Sequence, residues 1–182
     1  MRIELAGVVM AACVVAPTSA FAVEYLSAEQ AARLMFPDAD RFEARDVVLD
    51  AAQLQALVAR GVSARTARWP VTIARHGTAT LGYVVTDSVV GKFELIGYAV
   101  GINLDGAVTQ VEILSYRESH GGEIRLPAWR RQFAGKTTES PIRVGEDIAN
   151  ISGATLSCTH VTDGVRRIVA VVQTAVKNGS LG

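Results

Sequence analysis

The chain has 182 residues, with 18 basic and 18 acidic side chains and 49% hydrophobic residues. This length supports one domain, or one with a small appendage, and the apolar fraction excludes a disordered tail. Zero net charge without a densely basic stretch argues against a nucleic-acid binder, and two cysteines exclude a disulfide-stapled miniprotein or a Cys-rich metal site.

Residues 1–22 read as a secretory signal. Arg2 gives a positive start, residues 5–16 are an apolar run, Pro17 breaks it, and Ala20-Phe21-Ala22 is an A-x-A cleavage site. The mature chain then begins at Val23 and is exported, to the periplasm or otherwise. It keeps Cys158 as its one cysteine and forms no internal disulfide. A retained anchor and a lipid on Cys13 are the alternatives for this segment; the run is shorter than the roughly 20 residues a span needs.

Ser27 and Gln30 form a capping box, which predicts a short helix ending at Phe36 before Pro37. Residues 42–49 alternate as a strand. Asp50 predicts a second helix with Leu54, Leu57 and Val58 on one face and Gly61 as its stop. Trp69, Val71 and Ile73 alternate as a strand, which Pro70 puts at a sheet edge or a strand start. Residues 81–86 form another. Residues 93–103 and 108–114 read as a hairpin around Asp105-Gly106. Gly97 and Gly101 interrupt its first arm and signal a bulge, a ligand's close approach, or simple curvature.

A polar loop follows over residues 116–122. Residues 126–133 predict a short helix with Pro127 in its first turn, Trp129 and Phe133 on one face, and Gly135 beyond its end. Residues 142–148 suggest a short strand. Val161, Val165, Ile168, Val169, Val172 and Val176 recur at helical spacing, with Gly179 as the stop. The order predicts an α+β fold: a largely antiparallel twisted sheet, packed helices, and a long C-terminal helix.

Residues 151–157, ISGATLS, sit just before that last helix. A helix start presents unpaired N–H groups and the positive end of the macrodipole, and small residues there admit a phosphate. The other reading is an ordinary cap, with Ser157 or Thr159 satisfying the amides.

Ser152-Gly153-Ala154-Thr155 resembles the flavinylation motif of the FMN-binding domain family, which includes the periplasmic flavin subunits of the Rnf and Na⁺-pumping NADH:quinone oxidoreductase complexes. The likeness extends upstream. Residues 97–106, GYAVGINLDG, are similar to the family's glycine-containing hairpin. Glu118-Ser119-His120-Gly121-Gly122 falls where the family has a Glu-Thr-Pro-Gly loop. Residues 129–136, WRRQFAGK, resemble its W-x-x-Q-F-x-G-K stretch. Three residues before Ser152, where the family usually has Asp, stands Ala149; Asn150 follows, and Asp147 lies two residues upstream of Ala149. The chain divides into the signal 1–22, a segment 23–79 of unassigned role, and an FMN-binding domain over 80–182.

The resemblance implies that Thr155 carries FMN through a phosphoester made by a flavin transferase that uses FAD. Ser152, Gly153, Ala154 and Ser157 would surround that link. Glu118 is the polar candidate for touching the flavin ring, and Tyr98, Tyr116, His120, Trp129 and Phe133 are candidates for its wall. The implied protein is an exported electron carrier working with a membrane or periplasmic redox partner. It is itself modified rather than turning over a small substrate. A module binding FMN or another phosphate ligand non-covalently, and an interaction domain without cofactor, are the alternatives.

Other chemistry is thinly supported. His76, His120 and His160 with Cys158 lack a second pair at ligand spacing, so no metal is expected. Ser157 and His160 lack a G-x-S-x-G elbow. Cys158 is a small packed residue or a thiol activated at the helix start. Arg166 and Arg167 read as a solvated face.

Overall fold

The computed structural model describes residues 25–181; the signal segment lies outside them. Strands β1 (Arg41–Val48), β2 (Arg68–His76), β3 (Ala79–Val90), β4 (Leu95–Asn103) and β5 (Val108–Ser115) pair antiparallel in chain order. Short connections make sequential pairing the cheapest topology from β2 to β5, while helix α2 lies in the longer connection from β1 to β2. Helices α1 (Ala28–Met35), α2 (Ala51–Ala59), α3 (Pro127–Arg130) and α4 (Thr155–Lys177) complete the α+β fold. Both early helices open on reciprocal capping boxes, Ser27 with Gln30 and Asp50 with Gln53.

One sheet face packs on α4. Val161, Val165, Ile168, Val169 and Val172 are fully buried against Trp69, Ile73, Val85, Tyr98 and Val100 in one core. Each such burial contributes roughly 1.5–3 kcal/mol, so packing holds α4 more than propensity does. The other face packs on α1, where Met35 and Phe36 meet Ala74, Val84 and Ala99. That approach requires Gly82, where an added Cβ would lie 2.5 Å from the Phe36 ring. Residues 41–76 supply β1, α2 and β2 to the same sheet and core as the later strands.

Gly97 and Gly101 lie at two register shifts of the β4–β5 pair, where β5 carries the extra residues Leu114 and Thr109, and Gly106, at φ +79°, turns the hairpin. Four expectations change. Residues 142–148 are not a strand: Asp147 draws in the N–H groups of Ile142 and Arg143, Gly145 at φ +87° reverses the chain, and one Val144–Ile148 bridge remains. Val58 is 65% exposed; the α2 stripe that faces the core is Leu57 with Leu54. Pro70 lies in β2, an interior strand, near its start. Arg166 and Arg167 are not a solvated face. The loop after α2 folds over α4, so Arg167 donates to Ser63 O and pairs with Asp87, while Arg166 donates to Gly61 O.

Candidate functional site

Helix α4 begins at Thr155 itself, with Ala154 as N-cap and no side-chain cap. Ser157 and Thr159 therefore lie inside the helix rather than capping it. Gly153, at φ +82°, makes the turn into the helix, Ala154 N–H donates to Ile151 O, and the first helical bond runs from Cys158 N–H to Ala154 O. No side chain caps the helix's opening N–H groups, which carry the positive end of a 23-residue helix. Gly153, Ala154, Thr155 and Ser157 line a cleft of about 490 Å³, and Ser152 stands exposed beside them. The exposed Thr155 hydroxyl accepts one hydrogen bond, from Asn150 Nδ2 at 3.1 Å.

The far wall of the cleft is Lys92 and Phe93, at the tip of the β3–β4 hairpin, with the 118–120 loop between. Glu118 latches that tip: Oε1 accepts the N–H of Phe93 at 2.6 Å and of Glu94 at 3.0 Å. Partial burial pushes its carboxyl up, but the N–H groups of Glu94, Phe93 and Lys92 and the Lys92 charge outweigh burial and hold it below its ordinary value. The latch is thus present above the ordinary glutamate pKa and is lost as pH falls through the lowered value. The Phe93 and Glu94 amide NMR signals are expected to titrate with a midpoint below the ordinary glutamate value of about 4.3, and to stay flat in Glu118→Gln.

His120 is exposed and lines the same cleft, with Nδ1 at 2.9 Å from Ser119 Oγ. Tyr116 is buried behind it and donates to His120 O, with Ser157 Oγ 3.4 Å from its hydroxyl. Gly121, at φ +81°, lies flush on Ala154: an added Cβ would collide with the alanine methyl. The loop and the motif are therefore fitted to one another. A neighbouring cleft of about 830 Å³ shares Glu118 and His120 and reaches Tyr25, on which Arg125 stacks at 4.4 Å.

Three expected wall residues, Tyr98, Trp129 and Phe133, lie elsewhere. Tyr98 is fully buried beneath α4 and donates to Asp87 at 2.9 Å. Trp129 is buried under the chain leading to the motif, edge-on to the buried Phe133 with ring centroids 5.1 Å apart. Its Nε1–H donates to Ala149 O at 2.8 Å, and Ala149 N–H donates to Gln132 Oε1 at 2.8 Å. The 129–136 stretch is thus a clamp on one residue's main chain. Gly135 and Lys136 stitch it to Val108, and Lys136 pairs with Asp147 at 2.8 Å. Asp147, engaged there and with the N–H groups of Ile142 and Arg143, does not stand in for an acid at Thr155.

Cys158 is buried, and burial pushes its thiol above the ordinary value, so it is a packed residue. Among the described residues, no three His, Cys, Asp or Glu side chains converge as a metal site, and no helix is long and apolar enough to cross a membrane. Phe93, 74% exposed, and Lys92 were not foreseen as site residues. Residues 93–103 read as one strand, but β4 begins at Leu95, which leaves Phe93 out in the hairpin tip.

The family model for the FMN-binding domain matches residues 91–170. One component of an ion-translocating oxidoreductase complex from Aliivibrio fischeri is 30% identical, over 52% of this chain and 49% of its own. Its counterpart in the Na(+)-translocating ferredoxin:NAD(+) oxidoreductase complex of Acetobacterium woodii is 28% identical, over 59% and 56%. The chain spans about half the length of these curated relatives. Two crystal structures share its fold. Shewanella oneidensis NqrC matches with TM-score 0.51 and 14% identity over 79% of this chain and 88% of that one. One component of the Na(+)-translocating NADH-quinone reductase from Parabacteroides distasonis matches with TM-score 0.52 and 17% identity over 80% and 81%. Residues 91–170 are thus the part of the chain that is similar to the FMN-binding domain family.

Proposed function

We propose that this protein is an exported flavoprotein. It holds FMN by a phosphoester on Thr155 and passes electrons to or from a redox partner in a membrane complex. The observation that carries this reading is the start of α4: an exposed threonine hydroxyl at a helix N-terminus with no side-chain cap, inside a cleft. The site fits the group. Helix N–H groups and the macrodipole favour a phosphate at Thr155, Gly153 leaves room for it, and Lys92 adds a positive charge to the same cleft. Phe93 and Leu156 supply apolar surface, while Glu118 holds the tip that carries Phe93. FMN, when bound, supplies the redox chemistry. The chain's contribution is to anchor the phosphate, shape the apolar wall and keep the cofactor from diffusing away.

The relatives named above are components of ion-translocating oxidoreductases, which supports a membrane-bound partner. Loading of Thr155 requires a flavin transferase that takes the FMN half of FAD. The test is intact mass of protein purified from the periplasm of a host expressing such an enzyme, beside Thr155→Ala. The expected parent begins at Val23 and carries one FMN less one water; the variant lacks that addition. A yellow protein of unmodified mass that loses its colour on denaturation would mean non-covalent binding. That second reading is favoured by Asn150, an amide where a carboxylate would activate the hydroxyl.

A further inference from the structure

The Thr155 hydroxyl has one hydrogen-bond partner among the described residues, the Asn150 side-chain amide. Asn150 is exposed, so core packing does not impose that contact. Its placement comes from the residue before it. Ala149 is held at both main-chain groups, its N–H by Gln132 and its C=O by Trp129. A residue gripped on both sides cannot slide along the chain, so the register from 149 to 155 is set by α3 and the turn after it. The direction of the Asn150 bond matters. The amide nitrogen donates, so it occupies one lone pair of Thr155 Oγ and leaves the hydroxyl proton and the second lone pair free.

We propose that Asn150 is a positioning residue for modification of Thr155, aimed by the Trp129–Gln132 clamp. This rests on the covalent reading above. In that step the Oγ–P bond forms as the P–O bond joining the two halves of FAD breaks. AMP leaves, and the hydroxyl proton passes to the transferase or to solvent; no electrons change hands. Asn150 takes no proton. It fixes the direction from which the free lone pair attacks, and its N–H remains available to the ester oxygen afterwards. Glu118, the carboxylate among the described residues lining the cleft, is committed to the N–H groups of Phe93 and Glu94 and does not compete for this role.

The test compares parent and Asn150→Ala with purified transferase and FAD, reading added mass against time at several protein concentrations. The expected result is a kcat about tenfold or more lower, with KM within about twofold and an unchanged unfolding midpoint, as loss of orientation predicts. In parallel, the Asn150 side-chain NH₂ signals are expected to shift in Thr155→Val relative to the parent. An Asn150→Ala variant that loads at the parent rate, or NH₂ signals that stay put, overturns the role. A parent that gains no mass overturns the covalent reading, and with it this use of Asn150.

Discussion

Replacing Gly164 by alanine is expected to destabilise the fold by about 2–4 kcal/mol, although the same exchange in an exposed helix stabilises by about 1 kcal/mol. Gly164 lies in α4 directly over Tyr98. An added Cβ would overlap the Tyr98 hydroxyl and lie 2.7 Å from Cζ. The tyrosine has no room to retreat. It is fully buried, and its hydroxyl donates to Asp87, which also binds Arg65 and Arg167. Burial and the neighbouring Asp87 push the phenol above its ordinary pKa, so it stays a neutral donor. Relieving the clash means lifting α4 or breaking that bond, and a hydrogen bond to a charged group is worth about 1.5–3 kcal/mol. Chemical denaturation reads the effect. Adding Tyr98→Phe is expected to recover part of the loss, because the hydroxyl goes while Cζ remains too close. A Gly164→Ala protein more stable than the parent would show that α4 does not press on Tyr98 as described.

Trp129→Ala is expected to cost about 3–5 kcal/mol, the range for deleting a large buried aromatic. It removes the edge-on partner of Phe133 and strands Ala149 O without its donor. Trp129→Phe separates the two contributions. It keeps most of the apolar volume and loses the indole N–H, for about 1–3 kcal/mol. If the clamp aims the motif, Trp129→Phe slows flavin loading on Thr155 by more than its small unfolded fraction explains. Loading at the parent rate by a folded Trp129→Phe protein would reduce the tryptophan to core packing.

What could be read from the sequence was what neighbours in the chain decide. Ser27 with Gln30 and Asp50 with Gln53 are three apart, so their caps are local chemistry. Asp105-Gly106 turns a hairpin by its own φ preference, and the valine spacing of α4 reports burial directly. Partners far along the chain were not legible. Glu118 finds its donors 24 and 25 residues away, and Trp129 finds Ala149 twenty residues on. Burial of an aromatic does not say which neighbour it covers, so Tyr98 and Trp129 were placed around the cofactor when they lie in the core. Residues 142–148 have a strand's apolar rhythm, yet Asp147 closes them into a turn by binding backbone only five residues behind it. The helix start at the motif was legible because its small residues are themselves neighbours in the chain.

The grip on residue 149 touches only atoms that every amino acid except proline possesses. Its methyl group is exposed and takes no part. The position can therefore be rewritten, acid to alanine or back, without disturbing the loop that presents Thr155. Whatever a modifying enzyme reads from that side chain is free to drift while the fold stays intact. The fold at this point is inscribed on main-chain atoms and not on the side chain, so any residue but proline at 149 is expected to keep the loop.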